Sequence, residues 1–267
     1  MFSIVCTYNN KKILEKFLIK SLKTQNMTYK LFLLDNTQQK YKSASEALNV
    51  GADKAVGDYL LFIHQDVDLL SENWLEDAHR IIEKIDDIGI VGVAGKSENE
   101  SGIITNIKHG VPPVSGGNIK IKDVKKVQTL DECVMIIPKS VFQKVQFDET
   151  TCDDWHLYGI EYCLSVKLMG KEVYVLPLSL YHRSYGSSMS KRYMSTLKKV
   201  INKHKNNYKI ICTPMMNWRT SYPFFIQKYL LILNLLFVGM KSWMGKIIGR
   251  NKVGVKPYLE TLKGLYR

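Results

Sequence analysis

Short runs of β-branched and aromatic residues alternate with longer amphipathic stretches over the first 95 residues, and few folds accept that order. "FSIVCTY" (2–8), "KLFLLDN" (30–36), the run opening with "YLLFI" (from 59) and "IGIVGVAG" (88–95) read as strands. Between them, 11–25, 43–56 and 72–86 carry apolar residues at helical spacing. The order βαβαβαβ predicts an α/β fold with a mostly parallel, Rossmann-like sheet flanked by helices. No repeat of fixed period is present, which excludes a solenoid.

Beyond this half the pattern changes. Residues 96–128 are rich in Gly, Pro, Ser and Lys and lose periodicity, as in a functional excursion or a lid, with Gly116-Gly117 as a flexible turn. "ECVMIIP" (132–138) returns to strand and "KSVFQKV" to a short helix. "WHLYGIEYCLSVKLMG" (155–170) predicts a helix closed by its glycine, and "KEVYVLP" (171–177) a last strand before His182.

Charge is segregated along the chain. Residues 183–267 hold 17 Lys and Arg against one acid, Glu260, a net of +16; the first 182 hold 21 basic and 24 acidic residues, a net of −3. Such a block predicts a surface that meets phosphates, whether of nucleic acid, anionic lipid or a phosphorylated substrate. Within this basic helical C-terminal region (191–267), the apolar run 229–240 is too short to span a bilayer, which needs about 20 residues. It predicts either a buried helix or an interfacial one flanked by Lys241, Lys246 and Arg250 on an anionic membrane. Five cysteines without ligand spacing point to a reducing compartment, and the absence of a leader pattern at the start predicts a cytoplasmic protein, peripheral at most.

In an open parallel sheet, ligands bind beyond the carboxyl ends of the strands. Four predicted strands deliver polar residues there: Thr7, Tyr8 and Asn9; Asp35 and Asn36; Asp66 and Asp68; and, shortly after the last, His182. Two aspartates at i and i+2 on a turn can face one centre, and hard oxygen ligands suit Mg2+ or Mn2+, which bridge the phosphates of a nucleotide. The same spacing also occurs where Asp68 merely caps the helix that follows. Neither GxxxxGK[ST] nor GxGxxG occurs, which argues against a P-loop enzyme or a dinucleotide oxidoreductase.

Taken in order, "SIVCTYNN", "LLDNT", "ALNVGADKAVGDYLLFIHQDVDL" and "MGKEVYVLPLSLYHRSYGSS" resemble the successive motifs of the family 2 glycosyltransferases with a GT-A fold. The His-Gln-Asp-Val version and "WHLYGIEYCLS" are most similar to the branch typified by a streptomycin-biosynthesis protein. The resemblance covers residues 1–190 and implies a nucleotide-binding half (1–95) and an acceptor half (96–190). It implies that a nucleoside diphosphate sugar, UDP type favoured, is bound by Thr7, Tyr8, Asn9, Asp35, Asn49 and Asp66. Asp68 and His182 would then hold Mn2+ or Mg2+. The acceptor would be a glycan or lipid-linked sugar, and nucleic acid is not an expected partner.

An inverting transfer needs a general base for the attacking hydroxyl. Family members carry an aspartate where this chain has Gly159, so the resemblance leaves the base to Glu161, Asp154 (or Asp153) or Asp131, the last beside Glu132. Trp155 and His156 read as an acceptor-stacking face or as packing residues. Two other functions remain open: a nucleotidyltransferase acting on a sugar phosphate, and a basic binding module without catalysis.

Overall fold

The computed structural model describes residues 1–184 and 192–247 of the 267-residue chain, with side chains through residue 240. The first half runs β1 (Phe2–Tyr8), α1 (Lys11–Leu14), a π-helical segment (Glu15–Ile19), α2 (Lys20–Leu22), β2 (Tyr29–Asp35), α3 (Ala44–Asp53), β3 (Tyr59–Ile63), β4 (Val67–Asp68), α4 (Trp74–Ile82) and β5 (Ile88–Gly92). Six short strands follow: β6 (Ala94–Lys96), β7 (Ile104–Thr105), β8 (Lys108–His109), β9 (Val114–Ser115), β10 (Lys125–Lys126) and β11 (Thr129–Leu130). The remainder is β12 (Val134–Pro138), α5 (Lys139–Phe142), α6 (Tyr158–Leu168), β13 (Glu172–Val175), β14 (Tyr181–His182), α7 (Tyr193–His204), β15 (Ile210–Cys212), β16 (Asn217–Arg219) and α8 (Phe224–Ile247).

The main sheet has the order β10-β13-β5-β12-β3-β1-β2. Five of its strands (β2, β1, β3, β5 and β13) point the same way, whereas β12 lies antiparallel between β3 and β5, and β10 is reversed at the edge. Both faces are covered, which is why the strands read as continuous apolar runs. In β3, Leu60 and Phe62 enter one core while Leu61 and Ile63 enter the other; in β12, Met135 and Ile137 alternate likewise with Val134 and Ile136. Each such side chain contributes roughly 1.5–3 kcal/mol on burial. The reversal of β12 matters for the site: Val134 pairs with Ile63, so the residues just before β12 lie at the carboxyl end of β3.

Residues 96–128, expected to form an irregular excursion, are organised instead into small sheets, β11-β6-β7 and β4-β14-β8-β9. Polar side chains pin them: the buried Thr105 Oγ1 donates to the Val93 carbonyl (2.7 Å), and the half-buried Asn106 Nδ2 donates to the carbonyls of Ile121 (2.8 Å) and Pro177 (3.1 Å). The helix expected from 155 begins at Tyr158, because Leu157 adopts φ 72° and breaks the run, leaving Trp155 and His156 in a loop.

The segment after residue 191 shares the core of the main domain. Leu197 and Val200 of α7, Ile211 of β15, Trp218 of β16, and Leu231 and Ile232 of α8 all join one of the two buried clusters. The outward face of α8 is different: Phe225, Ile226, Tyr229, Leu230, Leu233 and Leu236 are exposed. Among the described residues no helix is long and apolar enough to cross a membrane. The sequence-predicted boundary at residue 190, the Tyr185-Gly186-Ser187-Ser188 end of the last motif and the basic residues 248–267 lie outside the described residues.

Candidate active site

Two cavities open at the carboxyl edge of the sheet. The first, about 630 Å3, is lined by the ends of β1, β2 and β3, including Thr7, Tyr8, Asn9, Asn36 and Thr37, and by Trp155 and Tyr158. The second, about 560 Å3, lies between the 96–131 segment, the start of α6 and the inner side of α8, and takes in Gly116, Asp131, His156, His182 and Leu231. His64, Gln65, Asp66 and Glu132 line both, so they form the shared wall.

Local hydrogen bonds fix the first cavity. Tyr8 at the end of β1 donates its hydroxyl to Asp35 Oδ2 (2.8 Å), while Asp35 Oδ1 accepts the Thr37 amide (2.8 Å). Those bonds, the Thr37 amide foremost, hold the exposed Asp35 carboxyl below its ordinary value. Gln65 staples the neighbouring strand end: its Oε1 accepts from the amides of Asn9 (3.2 Å) and Asn10 (2.9 Å), and its Nε2 donates to Asn9 Oδ1 (2.7 Å). Thr7 Oγ1 is buried in this wall and finds no hydrogen-bond partner among the described residues.

The shared wall carries a compact donor cluster. His64, Asp66 and His182 offer one ligand atom each, all within 4.8 Å of one another. The antiparallel pairing of β4 with β14 sets His182 opposite Val67, with its Nε2 3.2 Å from Asp66 Oδ1 and 3.4 Å from His64 Nδ1. Asp66 Oδ2 accepts the Ser184 amide (3.1 Å). Burial would raise the Asp66 carboxyl, but the hydrogen bond and charge of His182 outweigh it and hold it at about 2; the same pair raises His182 despite its burial. Burial, then the charge of His182, lowers His64 to about 4, and its other nitrogen lies 3.3 Å from the Tyr158 hydroxyl. A neutral imidazole, a second imidazole and an ionised carboxylate form a mixed nitrogen and oxygen set that fits Mn2+ better than Mg2+.

Several sequence-predicted residues fall elsewhere. Asp68 is absent from this cluster; its Oδ1 accepts the amide of Leu70 (3.0 Å), whose φ of 63° makes a left-handed turn, so that oxygen caps the turn. Asn49 is buried inside α3, donating to the Phe147 carbonyl (2.9 Å) and Glu149 Oε1 (2.8 Å) and accepting from the Phe147 amide (3.1 Å). It bolts α3 to the 147–149 loop and lines neither cavity. Glu161 is buried and turned towards α7: its Oε1 meets Lys203 Nζ (2.6 Å), His204 Nε2 (3.2 Å) and Ser165 Oγ (2.7 Å). Burial alone would raise that carboxyl, yet the bonds from His204, Lys203 and Ser165 hold it below its usual value. Asp154 also lines neither cavity and is buried, and its carbonyl accepts the Ala44 amide (3.1 Å). Asp153 is engaged by Arg192 and Lys199. Asp131 does line the second cavity, with Oδ1 bound to the Cys133 amide (3.0 Å).

The sequence names neither His64 nor Tyr158 as a site residue, and the resemblance sets Glu132 only in a pair with Asp131 near the donor sugar or acceptor. His64 stands in the His-Gln-Asp-Val stretch, two residues ahead of Asp66, and was therefore available. Glu132 precedes a strand rather than following one, and only the reversal of β12 brings it to the site.

Residues 2–211 match the family described as "Glycosyltransferase like family". No curated protein matches the chain. Among solved structures it is similar to S. aureus TarS residues 1–349 in complex with UDP-GlcNAc (TM-score 0.54, 15% identity, covering 98% of this chain and 79% of that one). It is also similar to the mannosyltransferase PcManGT from Pyrobaculum calidifontis in complex with GDP-Man and Mn2+ (TM-score 0.55, 12% identity, 99% and 84%). Against a longer TarS structure (TM-score 0.53, 16% identity), the match takes in 80% of this chain but only 40% of that one. These likenesses are of fold, and the shared fold is GT-A. With the family match extending over more than three quarters of its length, the chain belongs to the glycosyltransferase-like family.

Proposed function

We propose that this glycosyltransferase moves a hexose-type sugar from a nucleoside diphosphate, UDP favoured, to an acceptor hydroxyl with inversion, in the assembly of a glycan or surface polysaccharide. Within the family we place it nearest the streptomycin-biosynthesis-protein-like branch, on the His64-Gln65-Asp66-Val67 sequence and the segment around Tyr158. The observation that carries the reading is the shared wall: one donor cluster borders two cavities, as a transfer between two substrates requires. The solved complexes of similar fold contain UDP-GlcNAc and, in another case, GDP-Man with Mn2+, which supports a nucleotide-sugar donor and a divalent ion.

In this reading the first cavity takes the nucleotide. Thr7, Tyr8 and Asn9 at the end of β1 would border the base and ribose, with Asp35 fixing Tyr8 and Thr37 beside them, and Gln65 keeps the β1 end in register. Asp66, His182 and His64 would hold Mn2+, with Mg2+ as the weaker fit, and the bound ion would supply positive charge against the diphosphate leaving group. Titration of UDP into the protein with and without Mn2+ tests this. We expect UDP binding to strengthen with Mn2+ and the gain to vanish in Asp66→Asn; metal-independent binding that Asp66→Asn leaves intact would reject the reading.

The acceptor enters through the second cavity, roofed partly by Leu231 and Leu235 of α8. We infer that α8 rests on an anionic lipid surface, so that a lipid-linked acceptor reaches the cavity from the membrane. Its exposed apolar residues fall, at about 100° per residue, within an arc of about 140° on one side of the helix. No acidic residue occurs between Glu172 and Glu260, and that charge complements an anionic surface and disfavours pairing with a second copy.

A further inference from the structure

We propose that Glu132 is the catalytic residue that takes the proton from the attacking hydroxyl; the inference rests on the transferase reading above. Four residues line both cavities, and two of them are carboxylates, Asp66 and Glu132. Asp66 is committed to His182 and to the Ser184 amide. Glu132 is held only by backbone amides at the start of α6, Oε1 accepting that of Gly159 at 2.9 Å with the Leu157 amide also bearing on the carboxylate, and it stands on the boundary that an acceptor hydroxyl must approach to reach a donor sugar.

The neighbouring glycine explains the placement. A Cβ at Gly159 would come within 2.9 Å of Glu132 Cγ and 2.7 Å of Met135 Sδ, so a side chain at 159 and Glu132 in this position exclude each other. The reversed β12 brings the carboxylate to the catalytic edge, and the side-chain-free turn of α6 leaves it room. None of the other acidic candidates has this position: Asp131 borders only the second cavity, Glu161 is locked to α7, and Asp154 borders neither.

The electrostatics fit the division of labour. Burial raises the Glu132 carboxyl to about 8. A carboxylate so placed between the two cavities is able to exchange a proton near neutral pH. In the step, the ionised Glu132 accepts the acceptor O–H proton. The oxygen lone pair forms the bond to the anomeric carbon, the carbon–phosphate oxygen bond breaks with its pair passing to the diphosphate, and Glu132 later returns its proton to solvent.

The test measures UDP release from a panel of UDP-hexoses with Mn2+ and nitrophenyl glycosides as acceptors, alongside UDP affinity by calorimetry. Glu132→Gln keeps an oxygen for the Gly159 amide, so the start of α6 stays capped. We expect its kcat to fall about 10²- to 10⁴-fold, UDP affinity to stay within about threefold, and the rise of kcat with pH through about 8 to disappear. Gly159→Ala, which displaces Glu132, should lower kcat without changing donor KM. Transfer within threefold of wild type in Glu132→Gln, or an equal loss of UDP affinity, would overturn the role of Glu132 while leaving transfer intact. Wild-type protein that binds UDP yet turns over no UDP-hexose would instead overturn the transferase reading itself.

Discussion

Glu161 is only 1% exposed, and its carboxylate meets Lys203 and His204 of α7, so truncating it leaves the Lys203 ammonium and the His204 ring facing a buried gap. Breaking a buried pair from one side costs about 3–5 kcal/mol, and the lower end applies because Lys203 remains partly in solvent. Glu161→Ala should therefore lower the unfolding midpoint clearly while UDP affinity with Mn2+ is retained; a normal midpoint with lost affinity would return Glu161 to the site. Glu132 behaves oppositely. Because its folded value is raised from 4.5 to about 8, the stability it contributes is present below 4.5 and is lost as pH rises through about 8. Glu132→Gln should then melt above wild type at pH 9, by about 2–4 °C for each kcal/mol relieved, and the gap should close towards pH 5. Residues that follow parallel strands, such as Asp35, Asp66 and His182, were legible in the sequence because strand ends are where such sheets bind ligands. The turn that engages one Asp68 oxygen was not, since nothing in the sequence marks Leu70 as left-handed. The resemblance set Asp131 and Glu132 together near the donor sugar or acceptor but did not choose between them, because strand direction is not written in apolar periodicity.

The elements themselves were largely legible. Every long strand and helix of the first half sits within a few residues of its expected place, because continuous apolar runs and helical spacing are local signals. Tertiary contacts decided the rest: the Leu157 turn delays α6, and side-chain bonds from Thr105 and Asn106 organise a segment whose sequence shows no period. For α8, spacing predicted a helix but left its environment open, and the structure divides the two faces, Leu231 and Ile232 inward, Leu230 and Leu233 outward. That division makes a separable variant. Leu230→Glu with Leu233→Glu alters residues 56% and 61% exposed and should leave the melting temperature within about a degree. Flotation with phosphatidylglycerol vesicles should drop at least tenfold, since each leucine withdrawn from lipid forfeits up to about 1.5–3 kcal/mol. Undiminished flotation would remove α8 as the contact.

Along the whole chain the charge is polarised, with a net of −3 in residues 1–182 and +16 in 183–267, and the second cavity, proposed for the acceptor, is lined in part by α8 from the second of these segments. Many basic residues and an apolar stripe in one segment of the chain would give two contributions to vesicle binding that salt distinguishes, because the screening length falls from about 10 Å at 0.1 M to about 3 Å at 1 M while apolar insertion is little affected. Wild-type protein should bind phosphatidylglycerol vesicles well at 0.1 M NaCl, weaken severalfold by 0.5 M, and bind phosphatidylcholine vesicles poorly at either. The double α8 variant should retain only the salt-sensitive part, so that its residual binding disappears at 0.5 M. UDP affinity should be the same with and without vesicles, because the first cavity lies at the β1–β3 strand ends and α8 contributes nothing to its lining. Equal binding to neutral and anionic vesicles would leave the basic block without a role at the membrane. Strong, salt-sensitive retention on single-stranded RNA with none on vesicles would assign the block to nucleic acid instead and detach the acceptor cavity from any lipid surface.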